Sequence, residues 1–279
     1  MDSAERAMIE AVEAHEILMW RRCVEAVADV PGNPLGVVLD LSGPVPMTAM
    51  TAVDSDEYNR IVGLGVRSPA DPGDIDTILQ FYRELGMSRF RVEAAPVALP
   101  AELPDWLEEA GLHRVPVTVT KLWEVVTDTT PALDVDDAEG IAVRRLDSSD
   151  AAAVGRLTAL AYGAFDSADA LETWFSATVG RPDFIYYGAF DGDRLVASGG
   201  VFIEDDMAWY GFAVTHPRYR SRNIQQGLTA RRVRDARDLG CRIVHGEIRT
   251  DLFKSARAQV FKMTYEKPSY TSVGADQLP

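Results

Sequence analysis

The stretch Val214-Thr215-His216-Pro217-Arg218-Tyr219-Arg220-Ser221-Arg222-Asn223-Ile224-Gln225-Gln226-Gly227-Leu228 restricts the fold of this chain more than any other. It reads as the end of an apolar strand, a proline-punctuated turn, an arginine-rich loop and the start of a helix. A strand that feeds a helix through such a loop belongs to an α/β layer architecture. The same layout gathers unpaired backbone N–H groups and the positive end of a helix dipole, where a pyrophosphate could sit.

Charge singles out the same region. The chain carries a net charge of -15, which opposes non-specific binding to nucleic acid or anionic lipid. Yet residues 218–262 hold 12 Lys and Arg against 4 Asp and Glu, while the rest of the chain holds 16 against 39. A basic segment in an acidic protein fits a focused site for a polyanion, or equally a solvated helix face.

At 279 residues the chain is comfortable as two domains. No apolar run approaches the ~20 residues of a membrane span, and Met1-Asp2-Ser3-Ala4-Glu5 lacks the basic region of a signal peptide. No membrane partner is expected. Two cysteines, Cys23 and Cys241, fit small buried residues in a reducing cytosol, so a cytoplasmic location is expected. His15, His113, His216 and His245 have no ligand spacing, and no metal is expected.

Residues 127–140 have few large apolar groups and read as a linker between a domain at 1–126 and a domain at 141–279. After the linker, the patterns predict a strand at 141–146, helices to 162 and over 167–179, and strands at 184–190, 195–203 and 208–214. A helix at 224–239, a strand at 241–248, a helix at 252–263 and a short strand near 269–273 follow. Asp191-Gly192-Asp193 marks a hairpin. The first half repeats the plan more weakly, with a long helix over 3–27, strands at 35–41 and 60–66 and a less distinct one between. A helix over 75–85, a strand at 89–93 and a helix over 104–110 complete it.

A short repeat points to duplication. Arg83-Glu84-Leu85-Gly86 matches Arg237-Asp238-Leu239-Gly240, each closing a helix on glycine, and Glu93 and Glu247 each stand seven residues further on. Trp106-Leu107-Glu108-Glu109-Ala110-Gly111-Leu112 and Val260-Phe261-Lys262-Met263-Thr264-Tyr265 lie at nearly the same distance from their glycines.

The order of elements and the loop together resemble the GNAT acyltransferase superfamily, whose donor loop reads Arg/Gln-x-x-Gly-x-Gly/Ala. Arg220, Ile224 and Leu228 stand where that pattern has them, but Ser221, Asn223 and Gln225 occupy its tight positions. The resemblance implies an α/β fold of two tandem GNAT-like domains, each a mixed twisted sheet with helices on both faces. The first half has Gly65-Val66-Arg67-Ser68-Pro69-Ala70-Asp71-Pro72-Gly73-Asp74 in place of the donor loop, and resembles a degenerate copy that lost its donor site.

The resemblance also implies a site. Strands 208–214 and 241–248 would splay apart, and the main chain of Phe212, Ala213 and Val214 would pair with a pantetheine arm as with an added strand. Arg220, Ser221, Arg222, Asn223, Ile224 and Gln225 would take the donor's pyrophosphate. Asparagine tolerates the left-handed conformation, so Asn223 can keep the turn that glycine usually makes. Glu247 would be the base, with His245 two residues earlier on the same strand face. Glu204, Asp205 and Asp206 are weaker candidates, and a solvated surface glutamate is the plain alternative for Glu247. The usual acid position falls on Val260, so a water, Tyr210, Tyr270 or an easier leaving group would have to compensate. Arg232 falls within the apolar arc of Ile224, Leu228, Ala236 and Leu239, where it snorkels or meets a partner.

The implied reaction is amide formation, with acetyl-CoA or another acyl-CoA as co-substrate and a small-molecule amine as acceptor. The altered glycines and the basic segment equally fit a tRNA (as aminoacyl ester) or a carrier protein as donor. A non-catalytic binding module, or a homodimer built on the same fold, is the remaining reading.

Overall fold

The computed structural model describes residues 1–43, 45–116, 119–126, 140–162, 168–249 and 263–274. In chain order the elements are α1 (Ser3–Ala28), β1 (Val37–Asp40), β2 (Met47–Met50), β3 (Arg60–Ile61), α2 (Pro72–Glu84), β4 (Arg91–Glu93), α3 (Leu103–Glu109), β5 (His113–Arg114) and β6 (Val119–Val125). They continue as β7 (Ile141–Arg145), α4 (Ala151–Tyr162), α5 (Ala168–Thr178), β8 (Phe184–Asp191), β9 (Arg194–Glu204), β10 (Met207–Thr215), α6 (Ile224–Asp238), β11 (Ile243–Arg249), β12 (Met263–Lys267) and β13 (Ser269–Thr271).

Local chemistry accounts for several of these boundaries. Asp71 accepts from the amides of Gly73 and Asp74 while Asp74 reaches back to the Asp71 amide, a capping box with Pro72 in the first turn. Helix α2 therefore starts three residues before the expected 75. Asp147 and Asp150 form the same box ahead of α4, and Asp150 also bridges Arg144 at 2.8 Å. Gly192-Asp193 is the two-residue hairpin between β8 and β9, with Gly192 at φ +57°.

Two compact units are present: Met1–Lys121 with Arg249–Asp251 and Tyr265–Pro279, and Leu122–Ile248 with Leu252–Thr264. Unit 1 carries an antiparallel β1–β2 pair and a sheet in the order β3-β4-β13-β5, with β3 parallel to β4. Its core joins Ile75, Ile78 and Tyr82 of α2, Leu103 and Leu107 of α3, and Tyr270 of β13. This departs from a contiguous 141–279 domain. All three residues of β13 are buried, and the strand pairs antiparallel with both β4 and β5. A short apolar strand carries no local mark of the sheet it completes. The strand expected at 60–66 shrinks to Arg60–Ile61, and β5, β6 and β12 add to the strands that the sequence patterns predict. Of the linker expected at 127–140 and the helix expected at 252–263, residues 127–139 and 252–262 lie outside the described residues.

Among the described residues, the larger sheet runs β12-β6-β11-β10-β9-β8-β7. Strands β7 to β10 form an antiparallel meander, and β10 and β11 run parallel. On one face, α6 packs Ile224, Leu228, Val233 and Ala236 against Ile185, Tyr187, Val201, Ala208, Tyr210 and Val244. On the other, Trp174 and Phe175 of α5 meet the rings of Tyr186 and Phe212. No helix among the described residues is long and apolar enough to cross a membrane.

Candidate functional site

The site begins where two strands part. Strands β10 and β11 pair from Met207↔Ile243 to Tyr210↔Gly246, and the pairing stops there although β10 continues to Thr215 and β11 to Arg249. Gly246 allows the last close approach, because a Cβ on it would lie 2.6 Å from the Tyr210 carbonyl oxygen. Beyond this point, among the described residues, β10 no longer pairs with β11, and a strand edge open in this way is one that an extended ligand can pair with.

A β-bulge lies at the mouth of the splay. The β9–β10 register shifts between Gly211 and Val214, so Phe212 and Ala213 stand outside the regular ladder. Phe212 has φ +52°, a conformation that costs about 1–2 kcal/mol. Its ring is held by Tyr186 (centroids 5.8 Å apart), Trp209 (5.2 Å), Phe175 (5.9 Å) and Trp174 (6.2 Å). Aromatic pairs of this kind contribute roughly 0.5–1.5 kcal/mol each, enough to offset the strain. The ring is thus an anchor, and the exposed residue of the bulge is Ala213. Val214 is buried.

The loop after β10 makes its tight turns without glycine. Ser221 and Asn223 have φ +64° and +58°, both left-handed, at the positions the sequence marked as tight. Asn223 caps α6 through its backbone conformation, and its side chain makes no cap bond. Among the described residues, the amides of residues 221–225 donate to no protein acceptor, and the earliest paired amides of α6 are those of Gln226 and Gly227, both donating to the Asn223 carbonyl. Five unpaired amides at the positive end of a helix suit an anion. Ile224 is buried and locks the helix start to the sheet.

The side chains of the loop divide. Arg220 donates to the Ala161 carbonyl oxygen at 2.8 Å, and Arg222 lies over the Tyr219 ring at 4.9 Å. Tyr219 donates to Asp191 at 2.5 Å, and Arg194 lies 2.7 Å from Nε2 of His216. Burial first, then Arg194 and Arg218, lower the pKa of His216 and keep it neutral. Among the described residues, Arg194, Arg218, Arg220 and Arg222 have no carboxylate partner within ion-pair distance. Gln225 turns its side chain away from the loop, donating to the carbonyls of Ser198 (3.0 Å) and Val214 (2.7 Å).

His245 and Glu247 share one face of β11. His245 is fully buried in register with Trp209, and Glu247, half-buried, stands one residue past the last paired position. Glu247 is therefore the carboxylate at the opening of the splay. The weaker candidates fall elsewhere: Asp206 precedes β10, where it bridges Arg242 at 2.6 Å, at the opposite end of the strand from the bulge. Tyr210 donates to the Arg232 carbonyl oxygen on the α6 face, and burial raises its pKa far above the usual phenol range. Tyr270 belongs to the core of unit 1. Tyr210 is therefore not placed to act as an acid at the bulge.

Arg232 is 3% exposed and does not snorkel. It donates to the carbonyls of Leu228 and Gly200 and to Thr229 Oγ1, and covers the Tyr210 ring at 5.4 Å. Burial pulls its pKa down to about 10. The residue that sequence reading missed is Tyr162, in the last turn of α4, whose hydroxyl donates to the Ala213 carbonyl oxygen at 2.9 Å. It lies 51 positions from its partner, with no local motif to mark it.

In unit 1 the loop at 65–74 is tied back to Leu99. Leu99 donates its amide to the Gly65 carbonyl and accepts from the Ala70 amide. A Cβ on Gly65 would lie 2.7 Å from the Leu99 carbonyl oxygen. Glu93, the counterpart of Glu247, is buried against Lys267 (2.5 Å) and Arg60 (3.2 Å). Among the described residues, no group of three His, Cys, Asp or Glu is placed to hold a metal ion.

No protein-family model and no curated protein matches the sequence. Solved structures do match the fold. A GCN5-related N-acetyltransferase from Kribbella flavida superposes with a TM-score of 0.63 at 16% identity, covering 91% of this chain and 96% of that one. A tandem GNAT protein from the clavulanic acid biosynthesis pathway gives 0.61 at 16% identity, over 91% and 89% of the two chains. A GCN5-related N-acetyltransferase from Sphaerobacter thermophilus gives 0.53 at 15%, over 88% and 83%.

Proposed function

We propose, from the tandem GNAT fold that this chain has, that unit 2 is an N-acyltransferase carrying an acyl group from acyl-CoA to the amine of a small molecule. The observation that carries the reading is the splay beyond Tyr210↔Gly246 together with the left-handed loop that leaves the amides of 221–225 unpaired. A phosphate-bearing donor with an extended arm has complementary needs: anion-binding amides for one part and an open strand edge for the other. Glu247, at the opening, is the base in this reading, and His245 supports it from the same face. The tie between Leu99 and the 65–70 loop of unit 1 supports unit 2 as the donor-binding half in this reading.

A ligand that binds only the native state must raise the melting temperature, by the equivalent of about 2.7 kcal/mol at a hundredfold excess over Kd. Acetyl-CoA titrated against the full chain is expected to do so, and no shift at millimolar concentration overturns the acyl-CoA reading. Full activity in Glu247→Gln would remove Glu247 as the base.

A second reading rests on Arg194, Arg218, Arg220 and Arg222, which have no carboxylate partner among the described residues. Four uncompensated cations also suit a larger polyanion, such as an aminoacyl-tRNA. Retention of tRNA that falls steeply with salt, with no acetyl-CoA shift, would favour it.

A further inference from the structure

Acyl transfer from a thioester leaves a thiolate, which needs a proton donor near the open edge of β10. Tyr210 is buried on the α6 face, and Tyr270 lies in the core of unit 1. Another phenol is there. Tyr162 sits in the last turn of α4 and donates to the carbonyl oxygen of Ala213, the exposed residue of the β10 bulge.

We propose that Tyr162 is the acid that protonates the leaving group of unit 2. The inference rests on the acyl-CoA reading above and adds a catalytic residue to it. Three observations place the hydroxyl. It lies 2.9 Å from the bulge main chain, so it reaches the part of β10 where the strand edge is open. The turn that carries it is fixed to the donor loop, because Arg220 donates to the carbonyl of the preceding residue, Ala161, at 2.8 Å. Tyr162 is 50% exposed, so solvent can return its proton after each turnover. Its hydroxyl hydrogen turns freely about the Cζ–Oη bond and needs no backbone movement to leave the Ala213 carbonyl for a sulfur beside it.

The step balances. The amine nitrogen bonds to the acyl carbon and the C–S bond breaks, its electron pair going to sulfur. The phenol proton of Tyr162 passes to that sulfur, which departs as a thiol. The proton released by the attacking amine goes to Glu247. Solvent takes it from the carboxyl and returns one to the phenolate, so the sum is amine plus thioester giving amide plus thiol.

The full chain and its Tyr162→Phe variant are compared in two measurements. First, both are melted with and without acetyl-CoA, and the wild type is crystallised with CoA. The same thermal shift in both proteins is expected, with the sulfur within hydrogen-bonding distance of Tyr162 Oη. Second, thiol release from acetyl-CoA is followed with a panel of small primary amines. Tyr162→Phe is expected to lower kcat by about a hundredfold with the KM for acetyl-CoA within about twofold. Tyr162→Ala guards against a ring-packing effect, and it should lose kcat to the same extent. A wild type that neither binds acetyl-CoA nor releases thiol overturns both the acyl-CoA reading and this one. A wild type that binds, with the sulfur away from Tyr162 or with kcat unchanged in Tyr162→Phe, overturns this inference alone.

Discussion

The side-chain amide of Gln225 donates to the carbonyl oxygen of Val214 at 2.7 Å, and the same nitrogen donates to the carbonyl of Ser198 at 3.0 Å. Ser198 and Val214 face each other across β9 and β10 at the end of the bulge. One side-chain amide in the first turn of α6 thus bridges the two strands where the bulge interrupts their ladder. The residue that replaces a small one in the GNAT pattern is part of the sheet, and the loop is built around it.

Replacing Gln225 by alanine should therefore act on stability. Two buried carbonyls would lose their donor, at a cost of about 1–3 kcal/mol. For a chain of this size the melting temperature should fall by roughly 2–4 °C per kcal/mol. Calorimetry or thermal fluorescence checks this. An unchanged melting temperature with weakened acetyl-CoA binding would instead place the Gln225 side chain on the ligand.

The left-handed residues predict changes of opposite sign. Ser221 has φ +64°, and a non-glycine residue there costs about 1–2 kcal/mol in strain. Ser221→Gly should recover about 1 kcal/mol, net of the chain entropy that glycine adds. Asn223→Gly should gain less, since asparagine is already tolerant of this region. Asn223→Val should lose about 2 kcal/mol, because a β-branched residue at φ +58° is a true outlier. Denaturant midpoints of the three variants give the ordering directly.

These positions show how far the sequence was legible. Asn223 could be read because its αL tolerance is a property of the residue itself, and so could the Gly192 turn and the anomaly of Arg232 among apolar neighbours. What escaped depends on partners distant in the chain. The inward turn of Gln225 follows from a bulge between two other strands. The placement of Tyr270 follows from a gap between β4 and β5. The approach of Tyr162 to Ala213 joins residues on separate elements. Periodicity marks a strand but not the sheet it will enter.

Arg232 offers a test of burial against pairing. Its guanidinium is buried among carbonyls and one hydroxyl, and no carboxylate lies within ion-pair distance among the described residues. Holding the cation there costs folding energy, which is why its pKa falls to about 10. Arg232→Met keeps the apolar stem and removes the charge. It should leave stability unchanged or raise it by about 1 kcal/mol at pH 7, as buried charges replaced by apolar groups commonly do. Because the folded pKa lies below the unfolded one, wild-type stability should also improve relative to the variant as pH rises above about 10. A strongly destabilised variant would mean that the bond to Gly200 matters more than the charge.

The buried ions of unit 1 set its acid limit. Lys267 Nζ lies 2.7 Å from Glu16 and 2.5 Å from Glu93, and Lys121 lies 2.5 Å from Glu16. Burial alone would raise the pKa of Glu16, but Lys121 and Lys267 together outweigh it and hold the carboxyl well below its ordinary value. Glu93 is lowered in the same way by Lys267 and Arg60 against its burial. Glu13 moves the other way, because its burial exceeds the pull of Lys267. For Glu16 and Glu93 the folded pKa lies below the unfolded one, so their stabilisation is complete above about pH 4.3 and is lost as pH falls further toward the folded values. Glu16→Gln removes the partner of two buried lysines and should cost about 3–5 kcal/mol near pH 7. The difference from wild type should shrink steadily below about pH 4, as protonation takes the same carboxylate charge from the native protein. Denaturation curves from pH 7 down to pH 3 check both the size and the slope, and a difference that stays constant with pH would show that Glu16 is not held as a carboxylate.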